Sequence, residues 1–193
     1  MKILKFLLLI VVIFPGTRGC VHKPQNVIQF DCTKRGGYVI PGTPNIRVSA
    51  SRCNEYIYKK QAMSNVINLF VERYSAEFDL SKKRVWQLLE NLSIEVSSIP
   101  KTVKNVYDVN GNFLSEDTPI VGLAINKNNI WVEIKTSRIW TSALAHELVH
   151  IIIWRVNLVH GDPDHEGNMY TGWTKKHTKF IKRFNNELFE LEL

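Results

Sequence analysis

The sequence predicts an α+β domain: helices towards the N-terminus, a small antiparallel or mixed sheet, then two further helices. Three observations predict it. Apolar residues recur at helical spacing in two early stretches. The middle of the chain alternates and carries two hairpin signals. Two more stretches of helical periodicity close the chain.

Taken in order, Tyr38-Val39-Ile40 and Ile46-Arg47-Val48 are short strand candidates around the turn formers Pro41-Gly42 and Pro44. From Asn54 to about Phe78, Ile57, Ala62, Val66, Phe70 and Tyr74 mark one helix face. Asp79 and Ser81 then precede a second helix over Lys82 to Leu92, with Val85, Leu88 and Leu89 inward. Ile94-Glu95-Val96 alternates. Asn110-Gly111, between Val106-Tyr107 and Phe113-Leu114, is a two-residue hairpin signal. Ile120 to Ile125 and Ile130 to Ile134 flank Asn126-Lys127-Asn128-Asn129 as a second hairpin, and Ile130, Val132 and Ile134 face away from Trp131, Glu133 and Lys135. A helix follows from about Thr141 to Val156, with Thr141 or Ser142 as N-cap. Gly161 to Gly172 is a loop. Thr174 to Leu191 is the final helix, apolar at Phe180, Ile181, Phe184, Leu188 and Phe189.

The first nineteen residues stand apart. Lys2 and Lys5 precede the apolar run Phe6 to Phe14, which Pro15-Gly16 ends, the pattern of a secretory signal over residues 1–19. The run falls well short of the ~20 residues a membrane-spanning helix needs. Gly19-Cys20 resembles the end of a bacterial lipobox, although Thr17 and Arg18 stand where Leu and a small residue are preferred. That resemblance implies lipidation of Cys20, a tether over 20–37, and anchoring of an exported protein to the bacterial cell envelope. Cysteine parity agrees: with Cys20 modified, Cys32 and Cys53 remain as an even pair for a disulfide, closing a loop of about 20 residues worth on the order of 3 kcal/mol. Losing Lys2, Lys5 and Arg18 with the signal lowers the formal charge of +7 by three. The remaining excess is spread along the chain, which argues against a nucleic-acid partner. Residues 38–193 are the size of one domain.

The chemistry centres on His146-Glu147-Leu148-Val149-His150. On a helix, residues four apart lie about 40° from eclipsed. His146 and His150 therefore project from one face and can reach a single Zn²⁺. Glu147, rotated by about 100° from His146, is displaced from that coordination sphere. It is placed to hydrogen-bond a water on the metal and take its proton as general base.

This HExxH motif resembles that of the zincin metallopeptidases, on a predicted helix and after an alternating strand. The resemblance implies a zincin-like fold for 38–193, zinc-dependent hydrolysis, and a peptide substrate. It also implies that the upstream strand, Ile130 to Lys135, is the edge strand lining the substrate cleft. A zincin needs a third ligand. The metzincin pattern would require Gly and His where this chain has Ile153 and Val156; the gluzincin pattern takes a Glu from a later helix, where Glu187, Glu190 and Glu192 are available. The loop His160-Gly161-Asp162-Pro163-Asp164-His165-Glu166-Gly167 is the more economical source.

His165 is the preferred ligand, because Gly161 and Pro163 let the chain turn back before it. His160, Asp164 and Glu166 are alternatives, and Asp162 and Asp164 suit support of an imidazole N–H. Donors for a tetrahedral oxyanion are, in order of preference, Tyr170, His160 and His177. Trp154 and Trp173 are expected to pack around the metal. Asn157, two turns past His150, either edges the site or caps the helix.

Two other functions share these residues. One is a non-catalytic zinc-binding or scaffold lipoprotein, against which Glu147 counts because a structural site needs no base. The other is an amidase or peptidase acting on peptidoglycan, which differs only in substrate.

Overall fold

The structure, a computed structural model, describes residues 28–29, 37–50, 56–57, 62–107, 113–134, 139–157 and 172–191. In chain order these form β1 (Ile28–Gln29), β2 (Tyr38–Val39), β3 (Arg47–Ala50), β4 (Tyr56–Ile57), α1 (Ala62–Glu77), α2 (Lys82–Leu89), β5 (Ser93–Ser97), β6 (Lys101–Tyr107), β7 (Phe113–Ile120), β8 (Gly122–Asn126), β9 (Asn129–Glu133), α3 (Ile139–Asn157) and α4 (Lys175–Glu190). The architecture is α+β. No described helix is long and apolar enough to cross a membrane.

The main sheet has five strands in the order β2-β3-β5-β9-β8. The inner three run parallel, and β2 and β8 are antiparallel edges. A parallel pair cannot be joined by a tight turn, so α1 and α2 carry the chain from β3 to β5, and the β6–β7 hairpin and β8 intervene between β5 and β9. Strands therefore lie on both sides of α1 and α2 in sequence, as the candidates around Tyr38–Ile40 and Ile46–Val48 required, and β2 and β3 join the same sheet as the later strands.

One sheet face carries the core. Val48, Ile94, Val96, Ile130 and Val132 are wholly buried there with Val66, Ile67 and Phe70 of α1, Val85 and Leu89 of α2, and Leu144, Leu148 and Ile151 of α3. The opposite face of β9 holds Trp131 and Glu133, also buried, with Lys101 Nζ lying 4.7 Å above the Trp131 ring. The alternation read along this strand is real, but both of its faces are covered.

Several expectations need correction. The first helix begins at Ala62, not Asn54, because Tyr56–Ile57 pairs antiparallel with Ile28–Gln29, a contact between segments far apart in the chain. Ile28–Gln29 itself lies within the segment expected as tether. The second helix ends at Leu89, three residues early: Glu90 leaves helical geometry and Asn91 adopts φ 57°. Thr141 and Ser142 lie inside α3, which starts at Ile139, and Thr141 is buried. Phe189 points outward at 69% exposure, since α4 has only one sheltered face.

Other elements stand as read. Ser81 caps α2, its hydroxyl accepting from Arg84 N–H. β6 and β7 pair antiparallel with Tyr107 opposite Phe113, as the expected hairpin requires, and its turn at Asn110-Gly111 lies outside the described residues. The second hairpin joins β8 to β9 through Lys127 and Asn128. Arg155 of α3 fastens that turn to α2, donating to Lys127 O, Asn128 Oδ1, Leu88 O and Glu90 O.

Candidate metal centre

Helix α3 lies against β8 and β9. Its sequence sorts by angle: Leu148 and Val149 go wholly into the core, His146 and His150 share an adjoining face, and Glu147 faces the sheet edge. The Nε2 atoms of His146 and His150 approach to 3.1 Å, with ring centroids 4.9 Å apart. Two nitrogens each ~2.1 Å from one Zn²⁺ and separated by this distance would subtend about 95°, close to the tetrahedral preference of the ion. The pair therefore fits a single metal ion.

The indole of Trp173 packs against both imidazoles, at centroid distances of 4.9 Å from His146 and 4.8 Å from His150. It is buried, and its Nε1 donates to Thr178 Oγ1 at 2.9 Å. Packing of this tryptophan around the histidines agrees with its expected place. Immediately before it, Gly172 runs so close to α3 that an added Cβ would lie 2.3 Å from Ile153 Cγ2 and 3.2 Å from Asn157 Nδ2. The chain thus leaves α3 at Asn157 and returns to the same helix beside that residue.

Glu147 is buried at 6% exposure beneath β8. Burial pushes its carboxyl up to about 8, and a hydrogen bond from the Ala124 backbone N–H pulls the other way. Removal from water disfavours the carboxylate more than one donor restores it.

His177 opens a turn of α4 and reaches a different set of partners. Its Nδ1 accepts from Thr174 N–H at 3.0 Å and its Nε2 lies 3.3 Å from Tyr74 Oη. The ring stacks on Phe78 at 4.5 Å. Burial, with the adjacent Lys176 charge second, pushes its pKa down to about 4, so the imidazole is neutral at pH 7. Both nitrogens are engaged within the protein, which removes His177 from the candidate oxyanion donors. Tyr74 is buried against it, and its phenol is pushed up by loss of solvent.

Of the residues singled out from the sequence, His146, Glu147 and His150 are brought together. Cys20, Cys32, Cys53, His160, Asp162, Asp164, His165, Glu166 and Tyr170 lie outside the described residues. Among the described residues, no cluster of three or more His, Cys, Asp or Glu side chains suited to a metal is present. Glu187 is engaged elsewhere, accepting from Arg73 at 2.6–3.0 Å.

The strand expected to form the cleft edge is corrected. β9 pairs with β5 on one side and β8 on the other, so it is interior. The edge is β8, which lies over Glu147. Sequence reasoning missed Gly122 and Ala124 of this strand. The signal available was an isolated Gly within a strand pattern, which marks close approach of another group.

No protein-family model, curated protein or solved structure matches the chain.

Proposed function

We propose that the chain is a zinc-dependent hydrolase, a small metallopeptidase held in the bacterial cell envelope by lipid on Cys20. The observation that carries this is the convergence of His146 and His150 Nε2 at 3.1 Å beside a buried Glu147 under an edge strand. The zincin resemblance implies an edge strand along the substrate cleft, and β8, an edge strand packed on α3, is the strand proposed for that role. His146 and His150 would hold Zn²⁺, with His165 as third ligand. Support for a ligand from 158–171 is that this segment leaves and re-enters the described structure beside α3, at Asn157 and Gly172.

When bound, Zn²⁺ supplies Lewis acidity and makes a nucleophile available at neutral pH. The residues supply the rest. With the cation's charge beside it offsetting the effect of burial, Glu147 would take the proton of the attacking water at its carboxylate and return it to the leaving amine. Trp173 restricts the imidazole rotamers and shields their inner side from water. Tyr170 is the proposed donor to the oxyanion. The substrate is a peptide, or the peptide portion of peptidoglycan.

Metal analysis of the mature protein tests the site. One equivalent of zinc is expected, retained in Glu147→Gln and lost or weakened in His165→Ala. Full zinc in His165→Ala would reject that ligand. A broad peptide library and isolated peptidoglycan should be cleaved by wild type and not by Glu147→Gln; equal activity would reject Glu147 as the base. Labelling by a palmitate analogue should vanish in Cys20→Ser, and persistence would reject the anchor.

A further inference from the structure

Strand β8 bears on Glu147 through two backbone positions. Val121 O accepts from Glu133 N–H at 2.9 Å, and the register then pairs Gly122 with Val132, Leu123 with Trp131 and Ala124 with Ile130. Opposite residues in an antiparallel ladder alternate between exchanging hydrogen bonds and not doing so. Leu123 therefore bonds to β9, while Gly122 and Ala124 turn their N–H and C=O groups to the side of β8 on which no described strand pairs. There the Ala124 N–H meets the Glu147 carboxylate.

Gly122 makes that contact possible. A Cβ at this position would stand 2.6 Å from Glu147 Oε1, 2.8 Å from Cγ and 3.1 Å from Cδ. The glutamate side chain thus rises from α3 through the volume a residue-122 side chain would fill. The backbone itself does not call for glycine, because Gly122 is not among the residues of positive φ. A strand otherwise gains nothing from glycine, which brings no side chain to pack. Its place is explained by the close passage of Glu147.

We infer that Gly122 is a positioning residue for Glu147: the missing side chain lets the carboxylate lie under the sheet edge and dock on the Ala124 N–H. This rests on the hydrolase proposal only for its consequence in turnover; the docking itself is a property of the fold.

Amide hydrogen exchange of the full mature chain, read residue by residue by NMR, tests it in wild type, Gly122→Ala and Glu147→Ala. The Ala124 amide, on an edge with no described partner strand, should be protected in wild type. It should exchange at least about tenfold faster in both variants, with Leu123 unchanged. Undiminished Ala124 protection in Gly122→Ala overturns the inference, as does equal loss at Leu123, which would mean that the strand has melted.

The second readout is kinetic. With the best substrate found in the library, kcat of Gly122→Ala should fall by about 100-fold, while KM and zinc content stay at wild-type values. Faster Ala124 exchange in both variants, with a wild type that hydrolyses nothing, upholds the docking and defeats the hydrolase proposal. Wild-type hydrolysis undiminished in Gly122→Ala does the reverse.

Discussion

Replacing Arg155 by Met should loosen the fold while leaving the histidine pair in place. The guanidinium donates to Lys127 O at 2.7 Å, Leu88 O at 2.9 Å, Glu90 O at 2.9 Å and Asn128 Oδ1 at 3.0 Å. One planar group thus satisfies the C-terminal end of α2 and the β8–β9 turn together, and ties both to α3. Hydrogen bonds to a charged group contribute about 1.5–3 kcal/mol each. Simple addition overstates the effect, because three of the four lie at the surface and their acceptors regain water when the arginine is removed. Only the bond to Leu88 O is partly buried. Counting that bond in full and the others weakly gives a loss of ~2–3 kcal/mol. For a domain of this size, that lowers Tm by about 4–12 °C.

Arg155→Lys should recover less than half of the loss, because an ammonium cannot span acceptors arranged for a planar fork. The assay is urea unfolding followed by circular dichroism, with zinc affinity measured in parallel. Arg155 lies more than one turn beyond His150, so zinc affinity should stay at the wild-type value. A loss below ~0.5 kcal/mol for Arg155→Met would refute the clamp. So would full recovery in Arg155→Lys.

Three further predictions follow from individual environments. His177 has a folded-state pKa of about 4 against 6.5 in the unfolded chain, so its burial stabilises the protein fully above pH 6.5. The unfolded chain takes up the proton first as pH falls, and stability drains between 6.5 and about 4, by at most ~3 kcal/mol and nearer ~2 after allowing for residual solvent access. Urea unfolding across this range should show that slope in wild type and a shallower one in His177→Gln; matching slopes would reject it. Trp173→Leu should weaken zinc binding by about tenfold in protein that still folds, since the indole braces both imidazoles; competition against a chelator reads this, and unchanged affinity in the folded variant would count against the bracing role. Asn91 sits at φ 57° and pairs with Asn45 Nδ2 at 2.6 Å. Asn91→Ala should cost about 1 kcal/mol and Asn91→Gly clearly less; equal losses would show that backbone conformation is not the cause.

What could be read from the sequence was what depends on neighbours in the chain. The inward face of α1 at Ala62, Val66, Phe70 and Tyr74 follows from periodicity, as does that of α4 at Phe180, Ile181, Phe184 and Leu188. Both hairpins follow from turn chemistry beside alternating strands. The approach of His146 and His150 follows from helix geometry alone, because a spacing of four places them one turn apart whatever surrounds them.

The rest needed partners distant in sequence. Ile28–Gln29 drew Tyr56–Ile57 out of the expected helix, and no local pattern announces a pairing across such a span. The β9 strand reads the same whether it is an edge or an interior strand; only its pairing with β5 and β8 decides. The surroundings of Glu147 were set in the same way. Its spacing from the histidines is a sequence fact, but its burial, its raised pKa and its passage beside Gly122 arise where β8 crosses α3. A helix repeat determines which side chains share a face, and tertiary packing determines what that face meets and how much water reaches it.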